Sequence, residues 1–341
     1  MRIFYTPEHL LHDTNQVYNQ DTPIIIEEIP ERAETIRMAI EQAKLGPLQS
    51  PTDHGIAPIQ AVHSTDFLEF LQHGYQQAAE FRGQELPLFP ETFATREVRR
   101  PSAHPIAKAG YYCFGTYSPI LAGTWQAAYW SAQCALSAAH DVANGARATY
   151  ALCRPPGHHA AADLYGGFCY LNNAAIAARS LGERVAILDI DFHHGNGTQE
   201  IFYSDPGVLY CSLHADPDQE YPYFWGSVDE KGEGEGLGYN CNYPLPLGCD
   251  DAFYLQTLEQ ALQRIRKFEP RYLVVSLGLD IIQGDEVGGF NVTPAGIDEI
   301  SRQIAALRLG DNPLPTVIVQ EGGYLLSELG DLVVRFLKSF E

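Results

Sequence analysis

From about residue 150 onward the chain alternates short apolar runs with longer segments of helical spacing. The runs occupy 150–153, 185–188, 208–212, 272–277 and 316–319. Uninterrupted apolar runs of this length, bounded by turn residues, suit strands covered on both faces, because a half-solvated strand would alternate apolar with polar. Between them, 172–181, 252–268 and 293–307 are long enough, and suitably composed, to be helices. Thr293 before Pro294 reads as an N-cap with proline in the first helical turn. The rhythm predicts an α/β fold, with helices on both sides of a largely parallel sheet.

Residues 76–125 break the rhythm. Glycine, proline, arginine and aromatic residues crowd them, with little helical or strand periodicity. Long irregular insertions in compact domains are usually functional loops, and the aromatic content (Phe89, Phe93, Tyr111, Tyr112, Phe114) predicts an ordered one. No repeat, low-complexity tail or linker divides the chain, so 1–341 reads as a single domain.

Composition narrows the classes. With 45% hydrophobic and 19% charged residues the chain is globular, and 341 residues can bury a large core. No apolar run approaches the roughly 20 residues that span a bilayer. MRIFYTPEHLLHD lacks the apolar centre of a signal peptide. A cytoplasmic location with no membrane partner is expected. The net charge of −21 disfavours nucleic acid and favours cationic partners. Seven cysteines are scattered without CxxC spacing, which argues against a disulfide framework and against a cysteine zinc site.

The chemistry gathers where the runs end. In VAILDIDFHHGNGT (185–198) the apolar run leads into Asp189, Asp191, His193 and His194. Ionisable groups at the end of a buried strand are costly to desolvate unless paired, and a divalent metal is the simplest partner. Asp191 and His193, two apart, share a face of an extended chain. The other runs are followed by His158 and His159, by His214, by Asp280 and by Tyr324. In open parallel sheets the ligand site lies beyond the carboxyl ends of the strands, so the set converges on one site.

RPPGHHA, GGFCYLNNAA, LDIDFHHGNGTQ, SLGLD…D and EGGY, in this order, resemble the arginase–deacetylase superfamily, and within it the metal-dependent deacetylases that include the histone deacetylases. The N-terminus, the chain length and the GYYC…GTW insertion are most similar to bacterial acetylpolyamine amidohydrolases. The resemblance implies the arginase–deacetylase fold, a central, mainly parallel sheet of about eight strands with helices on both faces. It implies one catalytic metal on Asp191, His193 and Asp280, expected to be Zn²⁺, with Fe²⁺ or Co²⁺ compatible with the same ligands. It further implies a structural K⁺ on backbone carbonyls around Asp189, Asp191, His193, Ser212 and Leu213.

By the same resemblance His159 is general base and then acid, His158 gives electrostatic stabilisation, and Asp189 and Asn196 orient these two histidines. Tyr324 would donate to the oxyanion. Gly167, Phe168 and Tyr221 would line a narrow substrate tunnel. His194 and His214 read as structural. A two-metal arginase needs further carboxylates at positions that here hold Gly195 and Ile282, which disfavours that branch. A non-catalytic binder would lack a ligand, the base or the tyrosine, and none is missing.

The expected substrate is a small cationic acetylated amine, with an acetyl-lysine peptide as the alternative. Some polyamine deacetylases carry glutamates where Gln16 and Ile106 stand here, which disfavours long polyamines. Glu286, in the loop after Asp280, is a candidate, and short acetylated diamines such as acetylputrescine or acetylcadaverine are the expected preference. The related enzymes imply that 76–125 forms the contact of a homodimer and narrows the entrance.

Overall fold

The computed structural model describes residues 1–15, 17–19, 22–94, 102–182 and 184–341. Eight strands form one sheet: β1 (Arg2–Phe4), β2 (Leu48–Gln49), β3 (Ala148–Ala151), β4 (Val185–Asp189), β5 (Val208–Ala215), β6 (Asn240–Leu245), β7 (Tyr272–Leu277) and β8 (Thr316–Gln320). Their order is β2-β1-β3-β8-β7-β4-β5-β6, and every neighbouring pair is parallel. Two short antiparallel ribbons, Val17–Asn19 with Thr22–Ile24 and Arg308–Leu309 with Asn312–Pro313, lie outside it.

The runs are apolar throughout because each strand feeds two cores. Ala186 and Leu188 of β4 enter one, while Val185 and Ile187 enter the other. On the first face the sheet packs against α1 (Pro30–Ala43), α6 (Asp251–Phe268), α7 (Pro294–Ala305) and α8 (Leu326–Lys338). On the second it packs against α2 (Thr65–Arg82), α3 (Thr124–Ala143) and α4 (Asn173–Leu181). Leu188, Leu209 and Leu273 are fully buried, each contributing about 1.5–3 kcal/mol. The caps agree with the chain's own signals. The Asn172, Asp250 and Thr293 side chains accept from the N–H groups of Ala175 (2.9 Å), Phe253 (3.0 Å) and Gly296 (3.2 Å) at the starts of α4, α6 and α7.

The segment 76–125 is less irregular than its composition predicts. The apolar stripe of α2 (Phe67, Leu68, Phe70, Leu71, Ala78) carries the helix through Arg82, and Gly83 ends it in the left-handed region. Residues 124–125 already belong to α3. Between the two helices, the described residues hold a bridge between Leu88 and Ile120 and the short helix Ala107–Tyr112. Phe89 and Tyr112 are buried, so the segment is packed onto the domain.

Candidate active site

The parallel strands point their carboxyl ends to one edge, and the loops leaving them line a cavity of about 1690 Å³. His158, His159, Gly167, Phe168, His193, Tyr221, Glu286 and Tyr324, all expected from the sequence, lie on its wall. Asp189, Asp191, Asn196 and Asp280 are buried within bonding distance of wall residues. His214 does not join them. It lies within β5, wholly buried, and hydrogen-bonds Ser212 Oγ (2.8 Å) and the Gly226 carbonyl (3.0 Å).

Asp191, His193 and Asp280 form a compact donor set, with ligand atoms all within 4.8 Å of one another. His193 Nδ1 is 3.2 Å from Asp191 Oδ1 and 3.1 Å from Asp280 Oδ2. Among the described residues no lysine or arginine forms an ion pair with either carboxylate. Burial works against charge on all three, yet the group draws positive charge. His193 is pushed up to about 10 because Asp191 and Asp280 outweigh its desolvation. Asp280 is pushed up to about 7 by burial and by the neighbouring Asp191. Two buried carboxylates and an imidazole that draw positive charge, with no lysine or arginine among the described residues to supply it, fit a divalent ion.

The turn after β8 closes over this set. The Gly322 N–H donates to Asp191 Oδ2 at 2.8 Å. A Cβ at 322 would lie 2.5 Å from that oxygen and 2.6 Å from Asp280 Oδ2, so only glycine allows the approach.

The tandem histidines sit beside the set, their ring centroids 4.1 Å apart. His158 Nδ1 is 3.1 Å from Asp189 Oδ2, and His159 Nδ1 is 2.7 Å from Asn196 Oδ1. These neighbours divide the pair electrically. Burial disfavours a charged His158, but Asp191 and Asp189 outweigh it and push the group up to about 10. His159 is held well below the usual imidazole range by burial, reinforced by His158 and His193. The two rings can therefore hold different protonation states at neutral pH.

Residues 26–340 match the histone deacetylase domain. The chain belongs to the histone deacetylase family. It is 43% identical to acetylpolyamine amidohydrolase 2 of Pseudomonas aeruginosa over 348 residues, covering 100% of this chain and 99% of that one. It is 45% identical to an acetylpolyamine amidohydrolase of Burkholderia pseudomallei over 335 residues, covering 96% and 95%. A crystal structure of the acetylpolyamine aminohydrolase from Burkholderia pseudomallei superposes with a TM-score of 0.91 at 44% identity, covering 100% of this chain and 98% of the other. Like its relatives, this deacetylase is a hydrolase of acetyl amides.

The deacetylase site also includes residues to which the sequence had assigned no role. Glu321 Oε2 accepts from the N–H groups of Gly157 (2.7 Å) and His158 (3.1 Å), so the end of β8 holds the histidine turn. Arg32 of α1 donates to the carbonyls of Gly323 and Glu321, both at 2.7 Å, and its guanidinium lies 4.4 Å from the Tyr324 ring centroid. Asp285 accepts four backbone N–H groups around Tyr324. Arg32 lies about 290 residues before this turn, and nothing local marks it. Arg154, directly before PPGHH, was the nearer clue. It is buried, donates to the carbonyls of His9 and His12, and pairs with Glu28.

At the mouth, Glu27 and Glu220 join Glu286 on the cavity wall, alongside Phe114, Tyr117 and Trp225. Neither Glu27 nor Glu220 was expected from the sequence. Gln16 lies outside the described residues. Ile106 is buried in the second core and does not line the cavity, which explains why an apolar residue suits that position.

Proposed function

We propose that this deacetylase removes the acetyl group from small cationic acetylated amines, with acetylputrescine and acetylcadaverine preferred, using one zinc ion on Asp191, His193 and Asp280. One observation carries the substrate reading. Three glutamates, Glu27, Glu220 and Glu286, line the approach to the donor set. Among the described residues none of their carboxylates is engaged in an ion pair or side-chain hydrogen bond. Carboxylates beside aromatic faces suit an alkylammonium chain. The relatives named for acetylpolyamines support the same class.

A divalent ion in the donor set would supply Lewis acidity, lowering the pKa of water and polarising the amide carbonyl. The remaining work falls to the side chains. His159, kept neutral, takes a proton from the attacking water and returns it to the departing amine nitrogen. Asn196 fixes its ring. His158, held by its hydrogen bond to Asp189, steadies the negative charge that develops. Tyr324 stays protonated, since burial raises it well above its ordinary range, and its hydroxyl can donate to the acetyl oxygen as charge builds there. Phe168 packs against the Tyr324 ring with centroids 5.9 Å apart, and Tyr221 against His159 at 5.1 Å, which suits a narrow tunnel for an alkyl stem.

A two-metal ureohydrolase reading is disfavoured by the same site. A side chain at Gly195 would begin 2.3 Å from Asp189 Oδ2, and Ile282 is buried in the core. A K⁺ ion would belong at the adjoining ends of β4 and β5. The segment between α2 and α3 carries exposed Phe93 and Tyr117 at the mouth, and we assign it to a homodimer contact. Deleting it should give a monomer by light scattering, and a deletion variant that stays dimeric would contradict that assignment. No helix among the described residues is long and apolar enough to cross a membrane.

The test of the function is metal analysis of the purified protein together with kcat/KM for acetylputrescine, acetylcadaverine, acetylspermine and an acetyl-lysine peptide. One zinc per chain and the highest value for the diamines are expected. No turnover of any of the four by zinc-loaded protein would overturn it.

A further inference from the structure

Tyr221 and Trp225, on the cavity wall, belong to the loop between β5 and β6, and the Glu230 side chain ties that loop to the catalytic half of the site. Glu230 Oε2 accepts three N–H groups: Gln199 Nε2 at 2.7 Å, Gly226 N at 2.8 Å and Asn242 Nδ2 at 3.4 Å. Gln199 lies on α5 (Asn196–Phe202), the helix that begins with the partner of His159. Its Oε1 in turn accepts from Asn240 (2.9 Å) and Asn242 (2.8 Å) on β6. Asn242 also donates to the Ser227 carbonyl at 3.1 Å.

The loop cannot move off this anchor by a small slide. Gly226 has φ of +109°, and a Cβ there would lie 2.7 Å from His214 Nε2 and 2.9 Å from His194 Cγ. Its carbonyl meets His214 Nε2 at 3.0 Å, and His194 Nε2 is 3.2 Å from Asn242 Oδ1. The two histidines left out of the chemistry thus form the floor on which the loop is seated.

We propose that Glu230, with Gln199, is a positioning residue that fastens the Tyr221–Trp225 wall to the helix carrying Asn196, so that tunnel shape and the setting of His159 are held by one half-buried hydrogen-bond hub. The inference rests on the reading of Tyr221 as a tunnel wall. All three bonds fall on a single oxygen, so an amide at this position, turned with its oxygen inward, can replace the carboxylate. A role that needed the negative charge, such as binding a cation, would not survive that change.

The experiment uses Glu230→Ala and Glu230→Gln in the full chain. For each, kcat and KM for acetylputrescine are measured, together with acrylamide quenching of Trp225 in a Trp125→Phe/Trp130→Phe background. E230A is expected to raise KM about tenfold, the scale of one hydrogen bond to a charged group, with a smaller fall in kcat. It should also make Trp225 more quenchable. E230Q is expected to restore both readouts. If E230A does not fold, Gln199→Met, which keeps the volume and removes the amide, should move both in the same direction. Unchanged Trp225 quenching in E230A or Q199M, or an E230Q as impaired as E230A, would overturn the proposal. The quenching readout needs no substrate, so it stands or falls separately from the assigned activity.

Discussion

Replacing Asp285 by asparagine should disable the enzyme while leaving its metal ligands untouched. The Asp285 carboxylate bridges two backbone segments. Its Oδ2 accepts from Tyr324 N (2.7 Å) and Leu325 N (2.9 Å), and its Oδ1 from Val287 N (3.0 Å) and Gly288 N (3.2 Å). Asparagine can present its oxygen to only one of these pairs. The other pair then faces an NH₂ group, donor against donor. A hydrogen bond to a charged acceptor is worth about 1.5–3 kcal/mol, so the mismatch amounts to about 3–6 kcal/mol before relaxation. The segments will separate rather than bear it, and Tyr324 moves with one of them. Loss of one oxyanion donor costs about 10²–10³ in rate, or about 2.7–4 kcal/mol, which lies inside the strain available. We expect D285N to lose about 10²–10³ in kcat with much less change in KM, since the contact matters most in the transition state. Acetate release by zinc-loaded enzyme measures this, with metal content as the control. A D285N kcat within about threefold of wild type would refute the positioning role, because the loss it must cause is at least tenfold larger.

Tyr324→Phe removes the hydroxyl without touching the turn, and kcat for acetylputrescine should fall about 10²–10³ with an unchanged melting temperature. Asn196→Asp tests the electrostatic division of the histidines. Wild-type His159 is held low by burial, so the acid limb of kcat/KM should lie below the ordinary imidazole range. A carboxylate partner favours the imidazolium, so more alkaline solution is needed to free the base, and the limb should move to higher pH by about 1. An unmoved limb in a pH–rate profile would deny His159 the role of base. Removing the metal with a chelator should abolish activity and lower the melting temperature, and zinc should restore both, because only the folded chain gathers the three ligands.

The sheet was legible from residue 150 onward because its strands are buried on both faces. Of the five apolar runs, 272–277 matches β7 to the residue, and the others fall within one to three residues of their strands. The strands that escaped notice carry little pattern. β1 and β2 are three and two residues long, and β6, at the sheet's edge, mixes Asn240, Asn242 and Pro244 with its apolar residues. The residues that gather at the candidate site were legible because they follow strand ends in short motifs. The supports were not. Arg32 and Asp285 act through backbone carbonyls and N–H groups far along the chain, and Glu28 pairs with the distant Arg154, so their meaning depends on contacts that only folding creates. The acidic mouth was anticipated at Glu286 alone. Glu27 sits in an N-terminal segment whose course over the cavity no periodicity reveals.

The most direct test is the ratio of kcat/KM for acetylputrescine to that for an acetyl-lysine peptide, measured by acetate release on protein holding one zinc per chain. A cavity whose mouth presents Glu27, Glu220 and Glu286 predicts a ratio well above one, falling as salt screens the carboxylates. A peptide turned over faster than the diamine would contradict it.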